Sequence, residues 1–201
     1  MFNIGMMMCL GYLMLLSNLV YAYGCGDKVT PWNDDGGGNT VYLDRHRVSC
    51  GEPGNVINRF KLERARGNKI RYRYTCCKLE GNACVTRGIS NAFTSGGNGD
   101  LIYLDRQKVE CENGVLNEFK LYRKGYSSSY KYGYKCCDLG SSRLSCKKSS
   151  TRETDEGTRQ NYYLDRQTVA CSEGQFLQSF KLQRTNNRRI RYNITCCRVT
   201  R

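Results

Sequence analysis

Two short motifs recur three times in this chain, always in the same order and about 60 residues apart. The first, Tyr-Leu-Asp-Arg, begins at Tyr42, Tyr103 and Tyr163, and the second, Phe-Lys-Leu-x-Arg, begins at Phe60, Phe119 and Phe180. A period of this size indicates one structural unit copied three times. The sequence predicts repeats over residues 23–80, 81–140 and 141–201, preceded by a signal peptide over residues 1–22.

The cysteines follow the same period. Of the 13 cysteines, only Cys9 lies in the predicted signal peptide, and an even number in the secreted remainder predicts disulfides. Each repeat has an early cysteine, a central cysteine and an adjacent pair. They are Cys25, Cys50, Cys76 and Cys77; Cys84, Cys111, Cys136 and Cys137; and Cys146, Cys171, Cys196 and Cys197.

Two disulfide pairings remain per repeat, because adjacent cysteines are sterically unsuited to joining each other. Cys76 is in phase with the apolar residues of its segment and Cys77 is not, which favours Cys50–Cys76 with Cys25–Cys77 and the same pairing in the other repeats. Zinc ligation is the alternative, but zinc sites favour cysteines separated by two residues.

Apolar and polar residues alternate over residues 70–76, 130–136 and 190–196, which is typical of half-buried strands. A turn-forming stretch and a Phe-Lys-Leu segment precede each of them, so every repeat is predicted to end in a β-hairpin. Val41–Tyr42 and Val48–Cys50 are predicted to form a shorter pair of strands. The fold class is therefore all-β.

Short connections between repeats, at residues 78–83 and 138–145, leave little room for flexible linkers. They favour one compact pseudo-threefold body, like a β-trefoil or a β-prism, over the alternative of three disulfide-bonded domains in a row.

Residues 1–22 have no Asp, Glu, Lys or Arg and end in the small residue Ala22, as a signal peptide does. The apolar run is short for a membrane anchor and lacks a basic flank. We therefore expect a secreted, extracellular protein without stable membrane insertion. Its formal charge of +14 favours anionic partners, and secretion favours acidic polysaccharides or other extracellular glycans over nucleic acid.

Catalysis is not predicted. His46 is the single histidine, and Gln107 and Gln167 take its place in the other repeats, so we expect it in solvent and no Ser-His-Asp arrangement. No pair of acids suggests a glycosidase, and no catalytic residue, metal or cofactor is predicted. The repeated Asp-Arg pairs are expected to fix a turn, with calcium or sugar contacts as the alternative. Their acids are Asp44, Asp105 and Asp165.

The outward face of each predicted hairpin is basic. The candidate glycan-binding residues are Lys61, Arg71, Arg73, Lys120, Lys131, Lys135, Lys181 and Arg191. Three such stripes suit a multivalent polyanion, since weak contacts add through avidity, whereas the alternative is a solvated face that keeps the chain soluble. Tyr126, Tyr130 and Tyr162 are predicted to be free to stack on sugar rings. Asn193-Ile194-Thr195 predicts an N-glycosylation site at Asn193.

The segment from Cys50 to Ile57, with Ile70–Cys76, resembles a repeat of the dermatopontin family. Both have a Cys, a Gly, an apolar step, a hairpin and a closing aromatic-x-aromatic-x-Cys strand, and both are rich in tyrosine and Asp-Arg pairs. The family's Asp-Arg-x-Trp signature is absent, since the single tryptophan is Trp32. The resemblance covers most of each repeat and implies an extracellular-matrix or adhesion role.

Together these patterns predict a secreted, lectin-like binding protein of extracellular matrix, mucus or cell coat that engages acidic glycans. One alternative is a structural matrix protein with protein partners, and a second is a secreted toxin or defence lectin.

Overall fold

The structure is a computed structural model that describes residues 24–79, 84–125, 128–140, 143–186 and 188–200. The predicted signal peptide and Tyr126 lie outside these described residues. Strands dominate the described part of the chain, as the repeat pattern predicts. No helix within the described ranges has the length and apolar character needed to span a bilayer.

Fourteen strands are assigned among the described residues. Repeat 1 contains β1 (Cys25–Val29), β2 (Asn33–Asp34), β3 (Arg47–Ser49), β4 (Asn55–Ala65) and β5 (Lys69–Lys78). Repeat 2 contains β6 (Val85–Ser90), β7 (Lys108–Glu110), β8 (Gly114–Arg123) and β9 (Tyr130–Asp138). Repeat 3 contains β10 (Arg143–Ser150), β11 (Thr154–Asp155), β12 (Thr168–Ala170), β13 (Phe176–Thr185) and β14 (Arg189–Thr200). The 3₁₀ helices are Gly36–Gly38, Thr40–Arg45, Gly97–Gly99, Leu101–Arg106 and Asn161–Arg166.

The hairpins form where the sequence predicts them. β4 pairs with β5, β8 with β9 and β13 with β14, all antiparallel. In β5, Ile70, Tyr72 and Tyr74 are buried while the intervening Arg71 and Arg73 are not. Side chains on a strand point alternately to its two faces, so this pattern gives each hairpin one face in the core and one outside.

Every sheet contains a short strand from another repeat. Sheet 1 has the order β1-β5-β4-β12, sheet 2 the order β3-β8-β9-β6, and sheet 3 the order β10-β14-β13-β7. The three exchanged strands therefore run from repeat 1 to sheet 2, from repeat 2 to sheet 3 and from repeat 3 to sheet 1. Each hairpin depends on another repeat for its edge.

The main core lies between the inner faces of the sheets. The rings of Phe60, Phe119 and Phe180 meet there with centroid separations of 4.9–5.0 Å. Tyr72, Tyr132 and Tyr192 pack edge-on against these rings and are each 4% exposed. The Phe-Lys-Leu-x-Arg motif thus recurs because its phenylalanine occupies the shared centre of the molecule.

Six disulfides hold the described chain, and they suggest an extracellular or secreted protein. In repeat 1, Cys25 joins Cys77 and Cys50 joins Cys76, which is the pairing that the strand phase favours. Repeats 2 and 3 follow the same pattern: Cys84–Cys137, Cys111–Cys136, Cys146–Cys197 and Cys171–Cys196. Cys76 lies in the main core, whereas Cys77 belongs to a second apolar cluster.

The prediction of a strand at Val41–Tyr42 is wrong, because Thr40–Arg45 is a 3₁₀ helix. The Asn39 side chain accepts a hydrogen bond from the Val41 N–H and caps the start of that helix. Two residues are too few to separate helical from strand periodicity. The neighbouring prediction of a strand at Val48–Cys50 is confirmed in part by β3.

The Tyr-Leu-Asp-Arg motif occupies these 3₁₀ helices and has a packing role. The Arg45 guanidinium lies 4.2 Å from the ring centre of Tyr42. A side chain on Gly36, which has a φ of 65°, would collide with that same ring. Repeats 2 and 3 have the same stack, with Gly97, Tyr103 and Arg106 and with Gly157, Tyr163 and Arg166.

His46 is buried, so the prediction that it lies in solvent is wrong. It is 1% exposed, and its Nδ1 is 2.9 Å from the hydroxyl of Thr30, which accepts a hydrogen bond from the Tyr72 N–H. Gln107 and Gln167 are buried at the equivalent positions. Through the Thr30 hydroxyl, His46 therefore links the residue before β3 to Tyr72 of β5, two segments that are distant in sequence. Burial, followed by the charge of Arg45, lowers the pKa of His46 to about 4.

Candidate ligand-binding faces

The outer side of each sheet carries the predicted basic residues. Face 1 consists of Arg59, Lys61, Glu63, Arg71, Arg73 and Thr75 with Asp27, Val29, Thr168 and Ala170 at its edges. Face 2 consists of Glu118, Lys120, Tyr122, Lys131, Gly133 and Lys135 with Arg47, Ser49, Gly88 and Ser90. Face 3 consists of Ser179, Lys181, Gln183, Arg191, Asn193 and Thr195 with Lys108, Glu110, Lys148 and Ser150.

A lysine holds the same place on every face. Lys61, Lys120 and Lys181 are the second residues of the Phe-Lys-Leu-x-Arg motif, and each follows a buried phenylalanine on its strand. Because neighbours on a strand point to opposite sides, the core phenylalanine forces this lysine outward. Most of the other positions on the three faces differ in residue type.

Face 3 contains a shallow cavity of about 450 Å³. Its floor is made of small polar residues, where the Ser179 and Thr195 hydroxyls are 2.8 Å apart. Lysines stand around this floor on three different strands: Lys108 on β7, Lys181 on β13 and Lys148 on β10. Glu110 is the acidic residue of the lining and lies 2.6 Å from the Lys108 ammonium. Three lysines and one glutamate leave the cavity with an excess of two positive charges.

The lysines of face 3 stand far enough apart to contact separate anionic groups. β10 and β13 flank β14, and Lys148 is opposite Thr195 whereas Lys181 is opposite Asn193. Two interstrand spacings and a two-residue offset separate the two backbones by about 12 Å. Small polar side chains between them leave space for a ligand and supply hydroxyl and amide groups for hydrogen bonds.

Face 2 contains a cavity of about 390 Å³ at the corresponding place. Glu118 lies at its base, 8% exposed, and accepts a hydrogen bond from the Ser49 hydroxyl at 2.7 Å. The Lys135 ammonium and the Arg47 guanidinium lie 3.4 Å and 3.3 Å from the same carboxylate. Two of the cations on this face are therefore already paired, which leaves it less basic than its sequence indicates.

Face 1 is neutralised further. The Arg71 and Arg73 guanidinium groups lie 2.7 Å and 2.6 Å from the two oxygens of Glu63. Although burial opposes it, hydrogen bonds from these two arginines lower the pKa of the Glu63 carboxyl below its usual value. Arg71 also stacks on Trp32 at 4.2 Å. Both arginines thus have partners within the protein before any ligand arrives.

The predicted glycan-binding residues all occupy these faces, but they do not form one site. Three lie on face 1, three on face 2 and two on face 3. On face 3, Arg191 lies 3.4 Å from Glu153 and donates to Gln183, so Lys181 is the predicted residue that lines the cavity.

Sequence reasoning missed Lys108 and Lys148, which complete the face 3 cavity. Lys108 comes from a strand of repeat 2 that pairs with β13, and Lys148 lies on the outer edge strand β10. A hairpin considered alone contains neither residue. The charge of the Lys147–Lys148 pair is visible in the sequence, but its position beside β14 is not.

The tyrosines predicted to contact sugars are placed differently. Tyr130 is fully buried, so that prediction is wrong, because Tyr130 begins the alternation of β9 on its inner side. Tyr162 is partly buried beneath the Arg64 guanidinium, 3.9 Å from its ring centre. Tyr122 is 37% exposed on face 2 and was not among the predicted residues.

Asn193 is exposed on β14 and lines the face 3 cavity. Its side-chain amide donates a hydrogen bond to Gln183 at 3.0 Å. The predicted N-glycosylation of this residue stays a prediction, and a glycan attached here would extend from the cavity itself.

The repeated aspartates differ in their surroundings. Asp44 lies 3.3 Å from Arg123, the last residue of the Phe-Lys-Leu-x-Arg motif in repeat 2. Burial raises the pKa of Asp165, opposed by the nearby charges of Arg64 and Arg166. Arg184, at the place of Arg123 in repeat 3, binds the buried Glu156 instead, at 2.8 Å. Within the described ranges, no group of three His, Cys, Asp or Glu side chains is arranged to hold a metal ion.

Comparison with known proteins provides no further assignment of the site. No protein-family model matches the chain, and no curated protein matches it significantly.

Proposed function

We propose that this chain is a secreted, non-enzymatic protein that binds acidic glycans of extracellular matrix, mucus or cell coat through its sheet faces. The face 3 cavity carries this proposal, because Lys108, Lys148 and Lys181 surround a floor of hydroxyl and amide groups. Lysine ammonium groups attract sulfate or carboxylate, and the polar floor offers partners for sugar hydroxyls. The resemblance to dermatopontin repeats points to the same extracellular setting.

We further propose that the three repeats form one closed pseudo-threefold body of the β-prism kind. The exchange of β3, β7 and β12 between repeats supports this, as does the meeting of Phe60, Phe119 and Phe180. Three separate sheets favour a prism over a trefoil. In such a body the three faces point in different directions, so one molecule engages several chains of a glycan network and gains avidity.

The test is binding of the oxidised, secreted protein to sulfated and uronic-acid polysaccharides at low and at physiological salt. We expect binding that weakens steeply with salt, since exposed charges are screened within about 8 Å at physiological ionic strength. The double variant Lys148→Glu/Lys181→Glu should weaken binding at low salt at least about tenfold, a loss of about 1.4 kcal/mol.

Lys147→Glu is the matched control. Lys147 is adjacent to Lys148 on β10 but points to the opposite side of the strand and does not line the cavity. Each Lys→Glu substitution changes the net charge by the same amount, so the control makes half of the charge change of the double variant. It should nevertheless weaken binding by far less than half of the effect of the double variant on the binding free energy. Equal effects per charge would mean that total charge and not face 3 governs binding. Absence of binding to any acidic glycan would refute the proposal and favour a structural protein with protein partners.

A further inference from the structure

Tyr122 lies on the outer surface of sheet 2, against a glycine. It projects from β8 on face 2, directly opposite Lys131 of β9, and Gly133 of β9 is its diagonal neighbour on the same face. A Cβ atom added to Gly133 would approach Cε2 of the Tyr122 ring to 2.7 Å. The ring therefore rests directly against the glycine backbone, and 37% of the residue stays exposed.

The space beside this ring is bounded by hydrogen-bonding groups. Gly88 and Gly133 contribute no side chains to the floor of the cavity of about 390 Å³, while Ser90 and Lys131 form part of its rim. The Lys131 ammonium donates to the Ser90 hydroxyl at 3.2 Å. The volume lies within the range of small-molecule sites, about 300–1,000 Å³.

Faces 1 and 3 lack this platform at the same place. The pair equivalent to Tyr122 and Gly133 is Glu63 with Arg73 on face 1 and Gln183 with Asn193 on face 3. Both pairs are joined by side-chain hydrogen bonds, at 2.6 Å and 3.0 Å. Among the three described faces, only face 2 combines an exposed aromatic ring with a glycine that supports it.

We propose that Tyr122 and Gly133 form a stacking site for the pyranose ring of an uncharged sugar. The face of an aromatic ring carries partial negative charge, which attracts the weakly positive C–H groups on the apolar side of a pyranose. Glu118, Lys131 and Ser90 line the cavity beside the ring as partners for hydroxyl groups, and the Lys120 ammonium lies 5.3 Å from the ring centre, where it is a further donor. This inference rests on the proposed glycan-binding function and adds a second ligand class, recognised by contact and not by charge.

In the test, methyl glycosides of the common neutral hexoses and N-acetylhexosamines are titrated into the protein in 0.5 M NaCl, and binding is measured by NMR. High salt suppresses binding to the basic faces, since the screening length falls to a few ångströms. One of these probes should bind, and Tyr122→Ala should weaken it at least about tenfold. Tyr122→Phe keeps the ring and should retain affinity within about twofold.

Two further variants separate stacking from general damage to the sheet. Gly133→Asn reproduces the residue that face 3 has at this place, Asn193, so the sheet accommodates it, but its side chain must displace the Tyr122 ring. It should weaken neutral-sugar binding as strongly as Tyr122→Ala. Gln183→Ala makes the equivalent truncation on face 3 and should leave that binding unchanged.

Absence of neutral-sugar binding in high salt, or unchanged binding by Tyr122→Ala, would overturn this inference. The proposed acidic-glycan binding would survive either result, because it is measured at low salt and depends on Lys148 and Lys181. Conversely, salt-resistant sugar binding that requires Tyr122, without binding of acidic polysaccharides, would support the stacking site and refute the polyanion function.

Discussion

The inner and outer sides of the three sheets differ in how closely the repeats agree. On the inside, the same residue types return at equivalent places: Phe60, Phe119 and Phe180, and Tyr72, Tyr132 and Tyr192. On the outside, the position of Glu63 is occupied by Tyr122 and Gln183 in the other repeats. The shared core requires equal shapes from each repeat, because close packing penalises a change in volume. The outer faces have no such constraint, so each can present different chemistry.

The largest expected effect comes from breaking the shared centre. Phe119→Ala removes a ring that contacts both other phenylalanines at 4.9 Å and should lower the free energy of unfolding by about 3–5 kcal/mol. Lys120→Ala changes the next residue of β8, which points outward, and should cost less than about 0.5 kcal/mol. Denaturant unfolding with intact disulfides measures both. Similar losses in the two variants would mean that the inner and outer sides are not distinct in energy.

Repeat 1 has the buried His46 where the other repeats have the buried residues Gln107 and Gln167. This difference should make the stability of the protein sensitive to acid. Burial lowers the pKa of His46 from 6.5 to about 4, so below pH 6.5 the unfolded chain binds a proton that the folded chain excludes. Stability should fall as the pH drops from about 6.5 to 4, by up to about 3 kcal/mol from this group.

His46→Gln isolates that contribution. Gln167 occupies the same place in repeat 3, where it contacts Thr151, the equivalent of Thr30. The glutamine variant should match the original protein near pH 8 and exceed its stability at pH 4.5 in thermal or denaturant unfolding. Identical pH profiles would mean that the pKa of His46 is the same in the folded and the unfolded chain, and would refute the acid sensitivity.

The stack of Gly36, Tyr42 and Arg45 recurs in all three repeats, and it tests whether a residue pattern shared by the repeats has a structural role. Gly36 and Gly37 have nearly the same φ, 65° and 66°, but only Gly36 lies against the Tyr42 ring. Gly37→Ala should cost about 1 kcal/mol for its backbone conformation. Gly36→Ala should cost about 1–2 kcal/mol more, because the ring must leave its stack with Arg45. Equal losses would remove the packing explanation for the repeated Gly-Tyr-Arg arrangement.

The smallest effect concerns the outer side alone. Glu63→Gln should release Arg71 and Arg73 from their shared carboxylate and raise affinity for sulfated polysaccharide about threefold at low salt. Glu52→Gln makes the same change in net charge in a loop outside the faces and serves as the control. The gain should vanish in high salt. An equal gain from both variants would mean that face 1 takes no specific part in binding.

Much of the framework was predictable from local pattern. Alternation in residues 70–76 and its copies placed the hairpins, and the phase of Cys76 relative to Tyr74 favoured the disulfide pairing that the structure has. Both depend on side chains near each other in sequence or on a period of two. Thr40–Arg45 and His46 were mispredicted, since a short apolar pair fits either a strand or a 3₁₀ turn and a lone polar residue gives no sign of a distant partner.

The sequence by itself determined the all-β character of the chain and the outward direction of Lys61, Lys120 and Lys181. Both follow from the alternating geometry of a strand. Tertiary structure alone decided that β7 and β10 place Lys108 and Lys148 beside Lys181, and that Tyr122 rests on Gly133. Such neighbours come from different strands and in part from different repeats. Their proximity depends on sheet order and register, which the packing of the whole core fixes.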